Sequence, residues 1–267
     1  MKEITKKFQD LAEKREIALI IGTVPGYPDL KTSFEIIKTI VAGGADILEL
    51  SASFSDPIAD GPTLTRAHQK VLSLGISKNQ IFDFYKKITH TFDIPIFIIE
   101  YANVVYKIGL DKYFRKMKDA GIDVLIIPDV PLEELNPFYN AASKYKIDLP
   151  LLVAPTTYNL RMKEIAQKSR SFLYCVSTTG VTGARRSVNP KTINLIKCLR
   201  KVTNLPLVVG FGISKPEHIR ILSKYNIDGV VICSQVINII NKNLSNKKRI
   251  LGELRNYIVN MKRATKK

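Results

Sequence analysis

The sequence predicts an α/β fold, because short apolar runs alternate along the chain with segments of helical periodicity. Eight of these runs are apolar throughout, which is typical of parallel strands covered by helices on their outer face. Eight strand–helix units in about 250 residues describe a closed barrel better than an open sheet. The expected fold is therefore a TIM (β/α)8 barrel with an extra N-terminal helix and an extra C-terminal helix.

The elements can be placed in chain order. Ile4, Phe8 and Leu11 fall at helical spacing, which predicts a short amphipathic helix before the first strand. The predicted strands, each ended by a turn signal or a polar residue, are residues 17–21, 46–50, 94–99, 123–128, 149–154, 172–177, 205–209 and 229–233. A last amphipathic segment, residues 246–264, is expected to close the barrel against the N-terminal region. No linker stands out, so residues 1–267 are predicted to form a single TIM-barrel domain.

Cap signals mark where some helices should begin. Residues 214–217, Ser-Lys-Pro-Glu, have the pattern of a capping box with Pro in the first turn. Ser77 and Ser245 stand where two further helices are expected to start.

Composition limits the classes of partner. The formal net charge is +17, but the basic residues are scattered pairs mixed with Asp and Glu, which does not indicate a nucleic-acid site. We expect the charge to act on solubility and on the attraction of an anionic substrate. The three cysteines lack CxxC spacing, and no apolar run approaches the roughly 18 residues of a membrane-spanning helix. The sequence predicts a cytoplasmic protein that binds neither nucleic acid nor membrane.

The most informative stretch is residues 49–62, which places two carboxylates at one mouth of the predicted barrel. Glu49 stands at the end of the second strand, and Asp60 lies on the loop that follows. A buried Glu and a more solvated Asp differ in pKa, and such a pair can supply an acid and a base near neutral pH. The alternative is structural: Glu49 paired with a lysine, and Asp60 shaping the turn before Gly61.

Other chemistries are disfavoured at these strand ends. No predicted strand contains the lysine that a Schiff-base aldolase needs, and His68, His90 and His218 lie in helical segments far apart in sequence. No metal site is therefore expected. Glu100 should point away from the pocket if Ile99 faces it, and is expected to pair with a helix lysine or to lie at the rim. Asp129 is expected to lie behind the site, orienting it or capping a loop.

The late strand-to-helix loops indicate a phosphate. Glycine-containing loops follow the sixth and seventh strands and hold Gly183 and Gly212, and Ser234 opens a helix after the eighth strand. Glycines let backbone N–H groups approach an anion, and a helix N-terminus adds unpaired donors. A small phosphorylated substrate is expected there. The pocket beside it would be lined by three apolar or aromatic side chains, Ile99, Tyr174 and Phe211, whose alternative role is plain barrel core.

Several segments together resemble one known family. Residues 54–62 read Phe-Ser-Asp-Pro-Ile-Ala-Asp-Gly-Pro, 101–103 Tyr-Ala-Asn, 128–134 Pro-Asp-Val-Pro-Leu-Glu-Glu, 180–184 Gly-Val-Thr-Gly-Ala and 210–214 Gly-Phe-Gly-Ile-Ser. In this order, over essentially the whole chain, they resemble the tryptophan synthase alpha subunit family. The chain departs from the usual family pattern in three places: Ser51-Ala52-Ser53 replace Gly-Ile-Pro, Cys233-Ser234-Gln235 stand where Gly-Ser-Ala is usual, and Glu100 stands where relatives tend to be uncharged.

The resemblance implies a carbon–carbon lyase of tryptophan biosynthesis. That family cleaves indole-3-glycerol phosphate to indole and glyceraldehyde 3-phosphate without a cofactor in this subunit. By resemblance, Glu49 and Asp60 are catalytic. Glu49 protonates indole C3 and helps to take the glycerol hydroxyl proton, and Asp60 holds the indole N–H. Thr182 belongs to a lid that closes over the substrate.

The resemblance also implies a partner. The family assembles as an α2β2 heterotetramer with a β subunit that uses pyridoxal phosphate, and the contact involves the loop with Asp56 and the region of Asn103. An alternative is a weakly active or inactive alpha subunit retained to bind and activate the β subunit, which the changes at residues 51–53 make conceivable. A third interpretation, a phosphosugar barrel such as a ribulose-phosphate epimerase, is disfavoured by the missing metal ligands and by Asp60.

Overall fold

The computed structural model describes residues 3–176, 189–210 and 212–266, and they form an eight-stranded parallel barrel surrounded by helices. The strands are β1 (Ala18–Thr23), β2 (Ile47–Ser51), β3 (Ile96–Ile99), β4 (Leu125–Ile126), β5 (Leu151–Val153), β6 (Leu173–Val176), β7 (Leu207–Gly210) and β8 (Gly229–Ile232). They are hydrogen-bonded in the order β4-β3-β2-β1-β8-β7-β6-β5. The barrel is nearly closed between β4 and β5 by one parallel bridge, Val124 to Asp148. The predicted fold class is confirmed.

The described ranges contain twelve α-helices, which lie before β1, between successive strands and after β8. They are α1 (Glu3–Glu13), α2 (Leu30–Ala42), α3 (Pro62–Ser73), α4 (Lys78–Thr91), α5 (Ala102–Ile108), α6 (Leu110–Asp119), α7 (Asn136–Lys144), α8 (Asn159–Lys168), α9 (Pro190–Arg200), α10 (Pro216–Leu222), α11 (Ser234–Lys242) and α12 (Lys247–Arg263). Short 3-10 turns cover Leu132–Glu134 and Ser223–Tyr225. None of these helices is long and apolar enough to cross a membrane.

The core has two layers because successive strand residues point to opposite faces. One cluster lies inside the barrel and includes Phe97, Phe172 and Tyr174. Helix α1 contributes its buried apolar face to this same inner cluster, so it covers the N-terminal end of the barrel. The larger cluster packs the outward strand residues against the helices. The C-terminal end is therefore the open end, where a site can form.

Three predicted details are wrong. The first strand does not end at residue 21, since Gly22 lies within β1 and is paired with Glu49 of β2. Ser214 does not cap α10: Lys215 occupies the cap position without a side-chain hydrogen bond, and the Ser214 N–H donates to Nδ1 of His218 at 3.4 Å. Ser245 does not cap α12, because the Asn246 side chain accepts from the Arg249 N–H at 3.0 Å. The predicted cap at Ser77 is confirmed as a capping box with Gln80.

Candidate functional site

Glu49 lies on the inner face of β2 and is only 2 % exposed. Its Oε2 accepts a hydrogen bond from the Tyr174 hydroxyl at 3.1 Å, so a contact 125 residues apart in sequence joins β2 to β6 across the barrel. Among the described residues, the partner of this carboxyl oxygen is therefore the Tyr174 hydroxyl, and not a lysine as in the alternative prediction. The side chain faces the centre of the C-terminal mouth.

Burial changes the acidity of Glu49. Removal from water raises the pKa of its carboxyl to about 8, the Tyr174 hydrogen bond works against the rise, and the nearby charge of Asp60 adds to it. A carboxyl group with this pKa holds its proton at neutral pH. Glu49 is therefore poised to give a proton, which is what a general acid must do.

Two glycines make room for this arrangement. A Cβ at Gly22 would lie 2.7 Å from Glu49 Oε1 and 2.6 Å from the Cβ of Cys233, distances that real Cβ atoms do not show. A Cβ at Gly210 would lie 2.5 Å from Cε1 of Tyr174. Both glycines are needed because a backbone and a functional side chain approach closely at these points.

Asp60 is held from behind by an aromatic hydroxyl. Its Oδ2 accepts from the Tyr101 hydroxyl at 2.9 Å, and the same hydroxyl accepts from the Ala59 N–H at 3.1 Å. The Asp60 side chain is 11 % exposed, so it meets the pocket while Tyr101 fixes one of its oxygens. Nε2 of the fully buried His68 lies 3.3 Å from the same Oδ2.

Two described features of the late loops are suited to an anion. Gly212 adopts a φ of +82°, a conformation suited to glycine, just after β7. Ser234 is the first residue of α11, and that helix starts without a side-chain cap hydrogen bond among the described residues. Backbone N–H groups at such a start are suited to an anion. Thr182, Gly183 and Phe211 lie outside the described residues.

The remaining predicted residues lie in three places: in the pocket, behind it, and on the surface. Ile99 packs against the inner cluster, whereas Glu100 points outward and pairs with Lys78 of α4 at 2.8 Å, as expected from strand alternation. Asp129 accepts from the Ala102 N–H at 3.0 Å and so caps α5. Asp56 and Asn103 are exposed.

Sequence reasoning missed the groups that hold Asp60. Tyr101 lies close behind the third strand, so the sequence could predict its position at the mouth. It could not predict the direction of the hydroxyl group. His68 lies in α3, and the length of the loop before that helix decides whether it reaches Asp60. Lys78 gave no local signal, since its partners lie 22 and 25 residues away.

In the described ranges no group of three or more His, Cys, Asp or Glu side chains is arranged to hold a metal ion. That the site uses no metal and no cofactor stays a prediction.

Comparison with known proteins gives a consistent family. The family model described as "Tryptophan synthase alpha chain" matches residues 8–266. A curated tryptophan synthase alpha chain from Methanoregula boonei is 40% identical over 253 residues, which cover 95% of this chain and 96% of that protein. A solved structure from Aquifex aeolicus VF5 has a TM-score of 0.91 and 34% identity, covering 100% of both chains. A structure of Mycobacterium tuberculosis tryptophan synthase has a TM-score of 0.91 and 27% identity, covering 100% of this chain and 99% of that one. The chain belongs to the tryptophan synthase alpha chain family.

Proposed function

We propose that this protein cleaves indole-3-glycerol phosphate to indole and glyceraldehyde 3-phosphate, the alpha reaction of tryptophan synthase, as a carbon–carbon lyase. The observation that supports it most is the buried Glu49, bonded to Tyr174 at the barrel mouth, whose pKa burial raises to about 8. Asp60 stands at the same mouth, close enough to raise the pKa of Glu49. Family membership makes a lyase of tryptophan biosynthesis the class of enzyme, and this geometry supports the particular step.

The proposed step balances without a redox partner. The Glu49 carboxyl gives its proton to indole C3, and the Asp60 carboxylate accepts a hydrogen bond from the indole N–H and stabilises the positive charge on the ring. The Glu49 carboxylate left behind then takes the proton of the glycerol hydroxyl. The bond between C3 and the glycerol carbon breaks, its electron pair returns to the ring, and the hydroxyl carbon becomes the aldehyde. A rate gain of about 10² to 10⁴ is usual for such a positioned acid and base.

The substrate is proposed to lie between the carboxyl pair and the late loops. Gly212 and the start of α11 at Ser234 would contact the phosphate, and Ile99 and Tyr174 would line the indole pocket. Thr182, Gly183 and Phe211 are proposed as further substrate contacts. No cofactor is proposed in this subunit.

A β subunit is the proposed partner, and the open end of the barrel carries the surface for it. Ile58 is 75% exposed, Tyr106 52% and Tyr158 65%, and each lies in a segment that follows the C-terminal end of a strand. Exposed apolar side chains grouped at one end of a molecule favour a protein contact. Asp56 and Asn103 are proposed to join this interface in an α2β2 assembly, with pyridoxal phosphate in the β subunit only. A cytoplasmic location is proposed with it.

The test is indole release from indole-3-glycerol phosphate by the full chain, with and without the β subunit from the same source. We expect the parent to release indole and Glu49→Gln to be slower by about 10² or more, because the proton donor is removed while the shape is kept. Binding of a phosphorylated product analogue, measured by calorimetry, should be similar in both and serves as the control for folding. An equally active Glu49→Gln would refute the assignment. A parent that releases no indole but stimulates the β subunit would favour the alternative, a subunit retained only for activation.

A further inference from the structure

An ion pair between a buried carboxyl and a partly exposed lysine, 29% exposed, lies just outside the barrel wall, behind the candidate site. Glu100 follows β3, points away from the pocket, and has a side chain only 2% exposed. Lys78, the first residue of α4, places its Nζ 2.8 Å from Glu100 Oε2. Burial raises the pKa of the Glu100 carboxyl, and the Lys78 ammonium works against that rise. Burying the Glu100 carboxylate costs desolvation energy, so a contribution to stability alone does not account for the pair.

The ammonium has a second partner, which is backbone. Lys78 Nζ donates to the carbonyl oxygen of Ser53 at 2.9 Å. Ser53 is 4% exposed and lies at the start of residues 52–61, which join β2 to α3 and which we call the Asp60 loop. A buried carbonyl needs a donor, and a charged donor on a helix start gives it a fixed one. Ser77 and Gln80 form a capping box there, so Lys78 stands on a well-ordered helix terminus.

The other partner of Lys78 leads to the far end of the same loop. Glu100 Oε1 accepts from the N–H of Tyr101 at 3.3 Å. The Tyr101 hydroxyl contacts both Ala59 and Asp60, and its ring stacks on Phe54 with centroids 5.1 Å apart. Lys78 is thus connected to the first part of the Asp60 loop directly and to its last part through Glu100 and Tyr101.

We propose that Lys78 is a positioning residue for the lyase reaction, with Glu100 as its counter-ion. Holding the Ser53 carbonyl and the Tyr101 backbone from one rigid helix end fixes where the Asp60 loop can place its carboxylate. Lys78 does not touch the pocket, so it acts through Asp60 and Tyr101. This inference rests on the proposed function for its catalytic consequence, and on the loop geometry alone for its structural one.

Four variants separate positioning from simple charge pairing. Lys78→Met removes the donor. Glu100→Gln removes the negative charge but keeps Lys78, its bond to Ser53 and a side-chain oxygen that can accept from the Tyr101 N–H. Lys78→Met/Glu100→Gln leaves no unpaired buried charge but still lacks the donor. We expect both variants without Lys78 to lose about tenfold to a hundredfold in kcat, with KM changed less than about threefold, because misplacing a reacting group by 1 Å can cost about 10² in rate. Glu100→Gln should stay within about threefold of the parent, and Lys78→Arg should recover most of kcat because it restores donors and charge.

A matched control comes from the opposite end of the barrel. Lys262 also forms a multiple ion pair, with Asp46 at 2.8 Å and Glu16 at 3.0 Å, and Asp46 precedes β2 at the closed end. Lys262→Met should lower stability and leave kcat unchanged. If Lys78→Met/Glu100→Gln regains parental kcat, the pair is only a matter of charge balance and the positioning role is wrong.

A second readout does not need activity. Hydrogen–deuterium exchange of the peptide that covers the Asp60 loop should be faster in both variants without Lys78 and parental in Glu100→Gln and Lys262→Met. Parental exchange in the Lys78 variants would overturn the inference while leaving indole release intact. A parent without indole release would overturn the proposed function, and the exchange result would still decide the role of Lys78 in holding the loop.

Discussion

At the scale of the residue, Glu49 owes its acidity to its place on β2. An inward position on a strand of the barrel removes the carboxyl from water, and burial is the largest cause of its raised pKa. The Tyr174 hydroxyl limits that rise and fixes one oxygen. Asp60, on a loop and partly solvated, has a different environment, and the proposed role of Glu49 as the proton donor requires such a difference.

The raised pKa of Glu49 predicts a pH-dependent stability that Glu49→Gln lacks. Below the unfolded value of 4.5 both states hold the proton, so parent and variant should unfold with similar free energies. Between 4.5 and about 8 the unfolded carboxyl ionises while the folded one stays protonated, so the free energy of unfolding of the parent falls as pH rises. The variant should gain on the order of 4 kcal/mol relative to the parent across this window.

Urea unfolding of parent and Glu49→Gln at pH 4.5 and pH 8.5 measures this difference. The comparison at the lower pH is the internal control for the substitution itself. A difference between the two proteins that does not change with pH would mean that Glu49 has an ordinary pKa in the folded state, and its role as the acid would then lack its physical basis.

At the scale of the element, apolar runs located the strands, but caps were predicted less well. A run such as residues 94–99 predicts a buried strand because the signal, a series of apolar side chains, lies entirely within the segment that forms β3. A cap depends on the direction in which the chain enters the helix. Ser77 enters α4 in an extended conformation and bonds the Gln80 N–H, whereas α12 starts one residue later than Ser245 suggests.

The candidate site shows the same difference between features that a local segment predicts and features that depend on how segments pack. The positions of Glu49 and Asp60 could be predicted because Glu49 lies near the end of β2 and Asp60 on the strand-to-helix loop that follows, where the fold places its site. The Tyr101 hydroxyl, the His68 ring and the Lys78 ammonium could not be placed, since each reaches Asp60 or its loop through a contact set by how α3, α4 and β3 pack. Local periodicity carries no information on such distances.

The caps give a prediction at this scale. Ser77→Ala and Asn246→Ala should each lower the free energy of unfolding by about 1 kcal/mol, because each removes a side-chain acceptor for an unpaired N–H in the first turn. Ser245→Ala is the matched control, since Ser245 is exposed and does not cap α12. Chemical denaturation of the three variants measures the differences. A loss at Ser245 as large as that at Asn246 would contradict the assignment of the cap.

At the scale of the whole molecule, the two ends of the barrel differ: we propose that the closed end contributes mainly to stability and the open end to catalysis. The closed end is packed by α1 and tied by Lys262 to Asp46 and Glu16. The open end carries the carboxyl pair and the exposed side chains of Ile58, Tyr106 and Tyr158. We propose that residues 1–267 are one domain, because the first helix and the last both pack on the same barrel. Stability and catalysis should then be separable by mutation.

Phe8 provides the test of this separation. Phe8 is 5% exposed, and the centroid of its ring lies 5.9 Å from the centroid of the Phe172 ring inside the closed end. Phe8→Ala should lower the free energy of unfolding by about 3 to 5 kcal/mol, because it leaves a cavity that the barrel wall cannot fill. Leu244→Ala, at a side chain 52% exposed, should change it by about 0.5 kcal/mol or less and serves as the control. Indole release per folded molecule, measured well below the melting temperature, should be equal in parent and Phe8→Ala, because Glu49 and Asp60 stand at the opposite end. A parallel fall in kcat would mean that the packing of α1 reaches the carboxyl pair through the barrel, and the two ends would have to be treated as one coupled unit.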